Sequence, residues 1–580
     1  MKRLSHGARL ALLCASPAVL LAGCGTSSGA SGPVAKGTDN TVVVALAPQT
    51  PPNWFFPVVS ADGYASTNFQ INFLMYRPLV YISKTNQINY QKSLAASVKV
   101  NAADTVYTIT LGDKYKWSNG QPVTAQDVLF TWHLMKAASQ SSSPWLYGDS
   151  GSGGVPDDWA SVVAPNAHTV VVTLTKPSNP TWFIHNGLSQ ISPVPQSLWD
   201  KYPHNMVQEL RFIESEANSP SYSAYKVVDG AFHIGKWDPN DYWDFVPNKN
   251  FGGHPATIAK LVLKYESSAA NEFAQLKTGT VNVGYLPPSM WSARKQLTGD
   301  KITASYVFGM NYIEPNMNAN ALGGAGPLLK KLYVRQALQM GIDQAGMVHS
   351  LYHGFGLPTD GSIAAKPVTA FYDQALNTAP YHFDIKEGQA LLEAHGWRMH
   401  NGVMTRNGKT LSFTLLYAAG STTETGIVQL LKQDWGEEGV DLSLQSLPLN
   451  QLFGTMGTSS KWALAYWNSG YTYQLDYYPS GGSLFAPGAA MNGGNYDNPQ
   501  MNQLIAATYL PGTPAQSQAR LNAYQKFGAD HLPGLWMPWI PQGYARVPGL
   551  NVHSDSIHGT VQYFNPVTNF LYANYWTISS

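Results

Sequence analysis

Strand-like and helix-like stretches alternate irregularly along this chain, and its helices repeatedly stop at a glycine that hands on to a strand. "SSAANEFAQLKTGTVNVGYL" reads as a helix, a stop at Gly279 and a strand. "TGIVQLLKQDWGEEGVDLSLQSL" repeats the arrangement around Gly439, and "FDIKEGQALLEAHGW" ends a helix at Gly396. Glycine just past the last helical turn takes left-handed backbone at no Cβ cost, so each of these is a stop with a mechanism. "TVVVALA" (residues 41–47) and "TVVVTLT" (169–175) are β-branched runs of buried-strand type, and "TVYTITL" (105–111) alternates like a half-buried strand. Residues 333–352, "YVRQALQMGIDQAGMVHSLY", carry one long helical pattern. The mixture predicts an α/β or α+β chain with several sheets. A length of 580 residues fits two or three domain-sized units, and 44% apolar residues supply a large core.

The first forty residues have a different character. Lys2, Arg3 and Arg9 precede the apolar run "LALLCASPAVLL" (10–21), which is of signal-peptide length and too short to span a bilayer. Leu21-Ala22-Gly23-Cys24 follows and resembles the bacterial lipoprotein signal, in which the leader is cut before the cysteine and that sulfur carries a diacylglycerol. Residues 25–40 are polar and rich in Gly and Ser, the composition of a flexible leash. Cleavage there would leave Cys24 as the only cysteine of the mature chain, excluding an intramolecular disulfide, although export leads to an oxidising compartment. The chain has 36 basic and 35 acidic residues in all. Removing the basic leader leaves a slightly acidic remainder, which argues against nucleic acid as a partner.

Three stretches look like enzyme signatures and do not hold up. "GTSSG" (25–29) fits the nucleophile-elbow pattern but lies in the leash, without the strand and helix that motif needs. "GDSG" (148–151) resembles a serine-protease loop but lacks the all-β surroundings and an identifiable His/Asp pair. "GAFHIGKW" (230–237) matches G-x-x-x-x-G-K, but Trp237 replaces the hydroxyl that would ligate Mg²⁺. His349 and His353 are four apart near a helix end, a weak metal signal; there is no H-E-x-x-H and no cysteine pair after the leader. No cofactor and no catalytic residue is expected.

The informative stretch is "YTITLGDKYKWSNGQPVTAQDVLFTW" (107–132): a strand, an Asn-Gly turn and a helix opened by Thr124. It resembles the signature of the family 5 extracytoplasmic solute-binding proteins, the peptide-, dipeptide- and nickel-binding lipoproteins of ABC importers. The matching core is Lys116 to Gly120, Pro122 to Ala125, Asp127, Val128 and Phe130. Four further segments resemble the family in its order. "DGAFHIGKWDPNDYWDFVPNKNF" looks like its Gly-aromatic hairpin, which accounts for the false phosphate loop. "NEFAQLKTGTVNVGYLPP" has Asn282 for the usual Asp, and "VRQALQMGIDQAGMV" departs at Gly341 and Gln344. "NYDNPQMNQLIAA" has Asn502 for Asp.

The resemblance implies a two-lobed periplasmic-binding-protein type II fold, with an extra subdomain in the first lobe and the ligand cleft between lobes. Its boundaries would be a signal peptide at 1–23, a tether at 24–40, lobe 1 at 41–305 with the subdomain at about 81–210, lobe 2 at 306–535, and a return to lobe 1 at 536–580. Peptide-binding members hold the ligand's α-amino group with an aspartate ahead of the Asn-Pro helix. Asp476 in "WNSGYTYQLDYYPSGG" occupies that place, among Trp467, Tyr471, Tyr473, Tyr477 and Tyr478. The implied protein is a monomeric, lipid-anchored, extracytoplasmic receptor that is not an enzyme and passes a peptide to ABC permease subunits. The same fold binding an oligosaccharide or a metal chelate is the alternative, and a tethered secreted hydrolase the remote one. If Cys24 is the anchor, Cys24→Ser moves the expressed protein from the membrane fraction to the soluble or uncleaved pool and removes the lipid from its intact mass.

Overall fold

The structure, a computed structural model, describes residues 40–579 apart from 49, 379 and 490. The leader, Cys24 and the tether up to residue 39 therefore lie outside the described residues, which all fall in one unit, Lys36–Ser580. Two sheets organise this unit. The first has seven strands in the order Asp300–Thr303, Leu550–Ser554, Val283–Leu286, Thr41–Ala45, Lys260–Lys264, Tyr242–Pro247 and Phe232–Asp238. The β-branched run at its centre pairs in parallel on both sides, Val43 with Val262 and Val44 with Val283. Strands buried on both faces read as continuous apolar runs, which is why this segment was legible.

The second sheet runs Asp441–Leu447, Ser412–Ala418, Leu464–Tyr466, Gly309–Pro315 and Tyr471–Thr472, with Leu535–Met537 also paired to Gly309–Pro315. The chain enters this second lobe after Thr303 and leaves it after Met537, because Leu550–Ser554 lies back in the first sheet between two of its strands. A separate four-stranded antiparallel sheet, Ala95–Val100, Val106–Leu111, Thr169–Leu174 and Trp159–Asn166, belongs to the segment expected to form the extra subdomain. Among the described residues, no helix is long and apolar enough to cross a membrane.

The signature stretch is a polar clasp around Asp127. This carboxylate opens the helix Ala125–Ala138, accepting the Thr124 backbone N–H at 2.8 Å and the Thr124 hydroxyl at 2.9 Å. It also accepts the Gln196 backbone N–H at 2.9 Å and the Trp117 indole N–H at 3.4 Å. One buried side chain thus ties turn, helix and the start of the later short helix Gln196–Trp199 together, and a buried carboxylate is tolerable when its lone pairs are filled in this way. "GAFHIGKW" is the strand Phe232–Asp238 of an antiparallel hairpin with Tyr242–Pro247; no helix follows it, so it is not a phosphate loop.

The long helix expected over 333–352 is instead two, Leu332–Met340 and Gln344–Ser350. Gly341 sits where any Cβ would run into Trp435 and Glu438, and the Asp343 side chain caps the second helix by accepting the Gly346 N–H at 2.7 Å. Trp435 is fully buried on the helix Thr422–Glu438 and donates its indole N–H to the Leu338 carbonyl at 2.9 Å. That helix ends at Gly439 with φ +98°, where a Cβ would lie 2.7 Å from Met399 Cε and 2.8 Å from Met404 Cγ. Gly439→Ala therefore meets both left-handed backbone and a crowded wall, and should destabilise by more than about 1 kcal/mol, read as a lower urea midpoint with unchanged slope.

Candidate functional site

Where the two lobes meet, the chain leaves the second sheet after the short strand Tyr471–Thr472 and runs as a loop to the helical turn at Gly482–Phe485. Leu475 adopts φ +59°, strained for a leucine; it stands between Gln474 and Asp476, which both turn toward the first lobe. Asp476 is 6% exposed. Its Oδ1 accepts a hydrogen bond from the Asn186 amide of the first lobe, and its Oδ2 accepts one from the Ser483 hydroxyl at 2.6 Å.

Asn186 ends the short helix Pro180–Asn186, and this helix is the main bridge. The Asn186 amide also donates to the Tyr478 carbonyl at 2.9 Å, and its Oδ1 accepts the Tyr478 N–H at 2.7 Å. At the helix start, the Asn179 backbone N–H donates to the Tyr509 carbonyl at 2.7 Å and its side chain donates to the Thr508 carbonyl at 2.9 Å. The Trp182 and Tyr509 rings lie 4.5 Å apart. Nearby, Asn86 donates to the Tyr477 carbonyl at 2.8 Å.

A second carboxyl lies close to the first. Asp149 is 6% exposed; its Oδ1 accepts from the Tyr64 hydroxyl at 2.6 Å, and its buried Oδ2 has no hydrogen-bond partner. Arg546 donates to Ser66 Oγ at 2.7 Å and to the Gln474 side chain. Burial pushes Asp149 up to about 8, against the lowering effect of Tyr64 and with a further push from Asp476. Burial likewise raises Asp476 to about 6, moderated by Ser483 and Asn186. Among the described residues neither acid forms an ion pair. A cavity of about 40 Å³, room for about one water, adjoins this loop between Leu475 and Tyr477 on one side and Phe73, Tyr81 and Gln190 on the other. Hydrogen bonds from Asn186, Asn86 and Tyr64 cross between the lobes around this loop.

Residues 89–488 match the profile of the bacterial extracellular solute-binding proteins, family 5 middle region. The chain belongs to that family. The oligopeptide-binding protein AppA of Bacillus subtilis is 23% identical over 491 residues, 83% of each chain. A Brucella ovis protein named as an ABC transporter peptide-binding protein is 26% identical over 331 residues; the match spans 56% of this chain and only 56% of that relative. In three dimensions this family 5 protein resembles AppA from Bacillus subtilis in complex with a nonapeptide, with a TM-score of 0.73 at 18% identity, covering 93% of this chain and 99% of that one. It resembles NikA from Brucella suis in complex with Fe(III)-EDTA equally well, with a TM-score of 0.73 at 14% identity, covering 93% and 100%. These likenesses carry the two-lobed type II fold, and they span both peptide and chelate ligands.

The residues singled out from sequence separate into two groups in this family 5 protein. Asp476, Tyr471 and Tyr477 lie at the lobe boundary: the Tyr471 hydroxyl is 3.4 Å from Ser483 Oγ, and Tyr477 lines the cavity. Trp467 and Tyr473 pack inside the second lobe. The Trp467 ring meets Tyr312 and Phe453, each at 5.4 Å, while its indole N–H donates to the Gly470 carbonyl. Tyr473 is fully buried and donates its hydroxyl to the Ser362 carbonyl. The His353 ring stacks on Trp291 at 5.7 Å, and its Nε2 lies 3.1 Å from the Pro288 carbonyl oxygen.

Sequence reasoning missed Asp149, Asn186, Tyr64 and Arg546. "GDSG" did carry a signal, but as a supposed nucleophile loop around its serine; the aspartate is the residue that matters to the geometry. Both acids have folded values above the unfolded one, so the folded chain holds protons the unfolded chain has lost between about pH 4 and 8. Their contribution to stability is present at low pH and lost as pH rises through about 6 for Asp476 and about 8 for Asp149. Asp149→Asn should therefore raise the Tm of ligand-free protein at pH 8.5 and change it little at pH 4; a shift of equal size at both values would refute the assignment.

Proposed function

We propose that this solute-binding protein captures a peptide between its lobes, with Asp476 receiving the ligand's α-ammonium group, and hands it to an ABC permease from a lipid anchor at Cys24. The observation that carries the reading is Asp476 itself: a desolvated carboxylate at the lobe boundary, held by two neutral donors and no cation. A buried carboxylate without a counter-charge is costly, and an ammonium group placed against it forms a charge-assisted pair. The first-lobe partner, Asn186, lets that one acid sense whether the lobes are closed. The peptide-binding names of several relatives point the same way. Tyr471 and Tyr477 are the aromatic neighbours that would meet the first ligand residues, and Asp149 with Arg546 would supply further polar groups. Hinge closure around the solute then presents one joined surface to the permease.

Native mass spectrometry of the purified protein, compared with its denatured mass, tests this directly. A ladder of retained peptide masses is expected. Asp476→Asn should weaken binding of a matched peptide about 10- to 100-fold, the worth of a hydrogen bond to a charged group, while N-acetylation of the peptide should cost the wild type a similar factor and the variant little. A retained sugar or metal chelate, or affinity indifferent to both changes, would transfer the ligand assignment to the alternative class.

A further inference from the structure

A second cavity, of about 150 Å³, opens in the first lobe and shares no lining residue with the one beside Tyr477. Three cations line it from separate parts of the chain. Arg77 follows the helix Ser66–Met75, Lys92 closes the 3-10 turn Tyr90–Lys92, and Lys114 lies just past the strand Val106–Leu111. Tyr115, Phe251 and Tyr575 supply aromatic wall.

The charge balance of this cavity is unusual. Among the described residues, none of the three cations forms an ion pair with a carboxylate. Arg77 is only 4% exposed; its guanidinium lies 4.9 Å from the Tyr115 ring centre and bonds the Lys92 carbonyl, and its buried Nε has no partner. The Lys92 ammonium lies 4.9 Å from the Tyr572 ring centre and 5.4 Å from that of Tyr575. Lys114 donates to the Gln91 carbonyl at 2.9 Å. The nearby acids offset them only in part: the Arg77 charge favours the Asp229 carboxylate, but burial outweighs it. Asp229 accepts the Arg77 backbone N–H at 3.0 Å but is pushed up to about 8 by burial, and Asp113 lies 3.6 Å from His168. His254 is engaged with the closing segment, its ring stacked on Tyr575. Lys92 is pushed below its ordinary value, first by burial and then by Arg77, Lys114 and Lys84. Aromatic faces attract cations, but they do not cancel the mutual repulsion of three gathered in one partly desolvated place.

We propose that this cavity is a binding site for a phosphate-type oxyanion. An anion would relieve the repulsion and fill the unpartnered Arg77 Nε. A guanidinium fork beside two ammonium groups is the donor set that suits a tetrahedral oxyanion. The volume holds one such group with a few waters, given about 30 Å³ per water. Three positive charges favour a dianion over a single carboxylate. The oxyanion would come either from free inorganic phosphate or from the headgroup of an anionic phospholipid. The site stands whether or not the cleft between the lobes takes a peptide.

The test is calorimetric titration of inorganic phosphate into the purified protein at low ionic strength, alongside co-sedimentation with phosphatidylcholine vesicles with and without phosphatidic acid. Both are repeated with the double variant Lys92→Gln/Lys114→Gln, whose Tm reports whether it folds. Lys114→Gln alone, at an exposed position, keeps the test readable if the double variant does not fold. Saturable phosphate binding is expected, weakened at least tenfold by the double substitution, severalfold by Lys114→Gln, and by added salt. Binding only to phosphatidic acid vesicles, lost in the variants, would identify the lipid headgroup as the source. Binding to neither, or binding that the substitutions leave unchanged, overturns the proposal.

Discussion

The boundary between the lobes depends on the side chain of Asn186. Its amide donates across that boundary to Asp476 and to the Tyr478 carbonyl, and its oxygen accepts the Tyr478 N–H. An amide is the one uncharged side chain that both donates twice and accepts, so it satisfies a backbone donor, a backbone acceptor and a carboxylate together. A water-poor boundary demands this, because each buried polar group left unmade costs about 1–3 kcal/mol. The helix Pro180–Asn186 is held in the orientation this needs. Asn179 anchors its start to the Thr508 and Tyr509 carbonyls, fixing where Asn186 arrives.

Much of the fold was legible in the sequence, and the reasons are local. Thr41–Ala45 is buried on both faces and reads as an unbroken β-branched run; Gly279 and Gly439 take the left-handed conformation their helix ends require. Asp127 organises its clasp through partners mostly close in sequence, so the signature stretch could be recognised whole. The helix pattern at 333–352 misled because its break comes from Trp435 and Glu438, about a hundred residues away. The same distance hid half of the site. Asp476 could be placed by its position ahead of the Asn-Pro helix, but Asn186 meets it from 290 residues away and Tyr64 meets Asp149 from 85. Aromatic residues near Asp476 in sequence gave no way to tell Tyr471 and Tyr477, at the boundary, from Trp467 and Tyr473, which face inward.

A chain with only 12% charged and 12% aromatic residues handles its buried charges with hydroxyls, amides and rings more than with ion pairs. Tyr64 serves Asp149, Ser483 serves Asp476, and Tyr115 and Tyr572 face Arg77 and Lys92. Neutral partners lower the cost of desolvating a charge without cancelling it. The remaining charge is then available to a ligand, which an internal salt bridge would have consumed. The Asp476 carboxylate at the lobe boundary and the cations of the first-lobe cavity are opposite cases of the same handling of charge.

This arrangement also sets how closure can respond to a solute. The boundary is held by hydrogen bonds, most of them neutral and each worth only about 1 kcal/mol net, with a charged one from Arg546 to Gln474, and it is opposed by the desolvation of two carboxyls, of which Asp149 is raised further by Asp476. Opening rehydrates those carboxyls and releases the bonds, so the two terms work against each other and leave a small difference. A ligand shifts such a balance only by what it gains in the closed form over the open one. A cationic group reaching Asp476 gains most where water is excluded, and it removes the term that opposes closure. An uncharged solute of the same size would have to supply that difference through contacts alone.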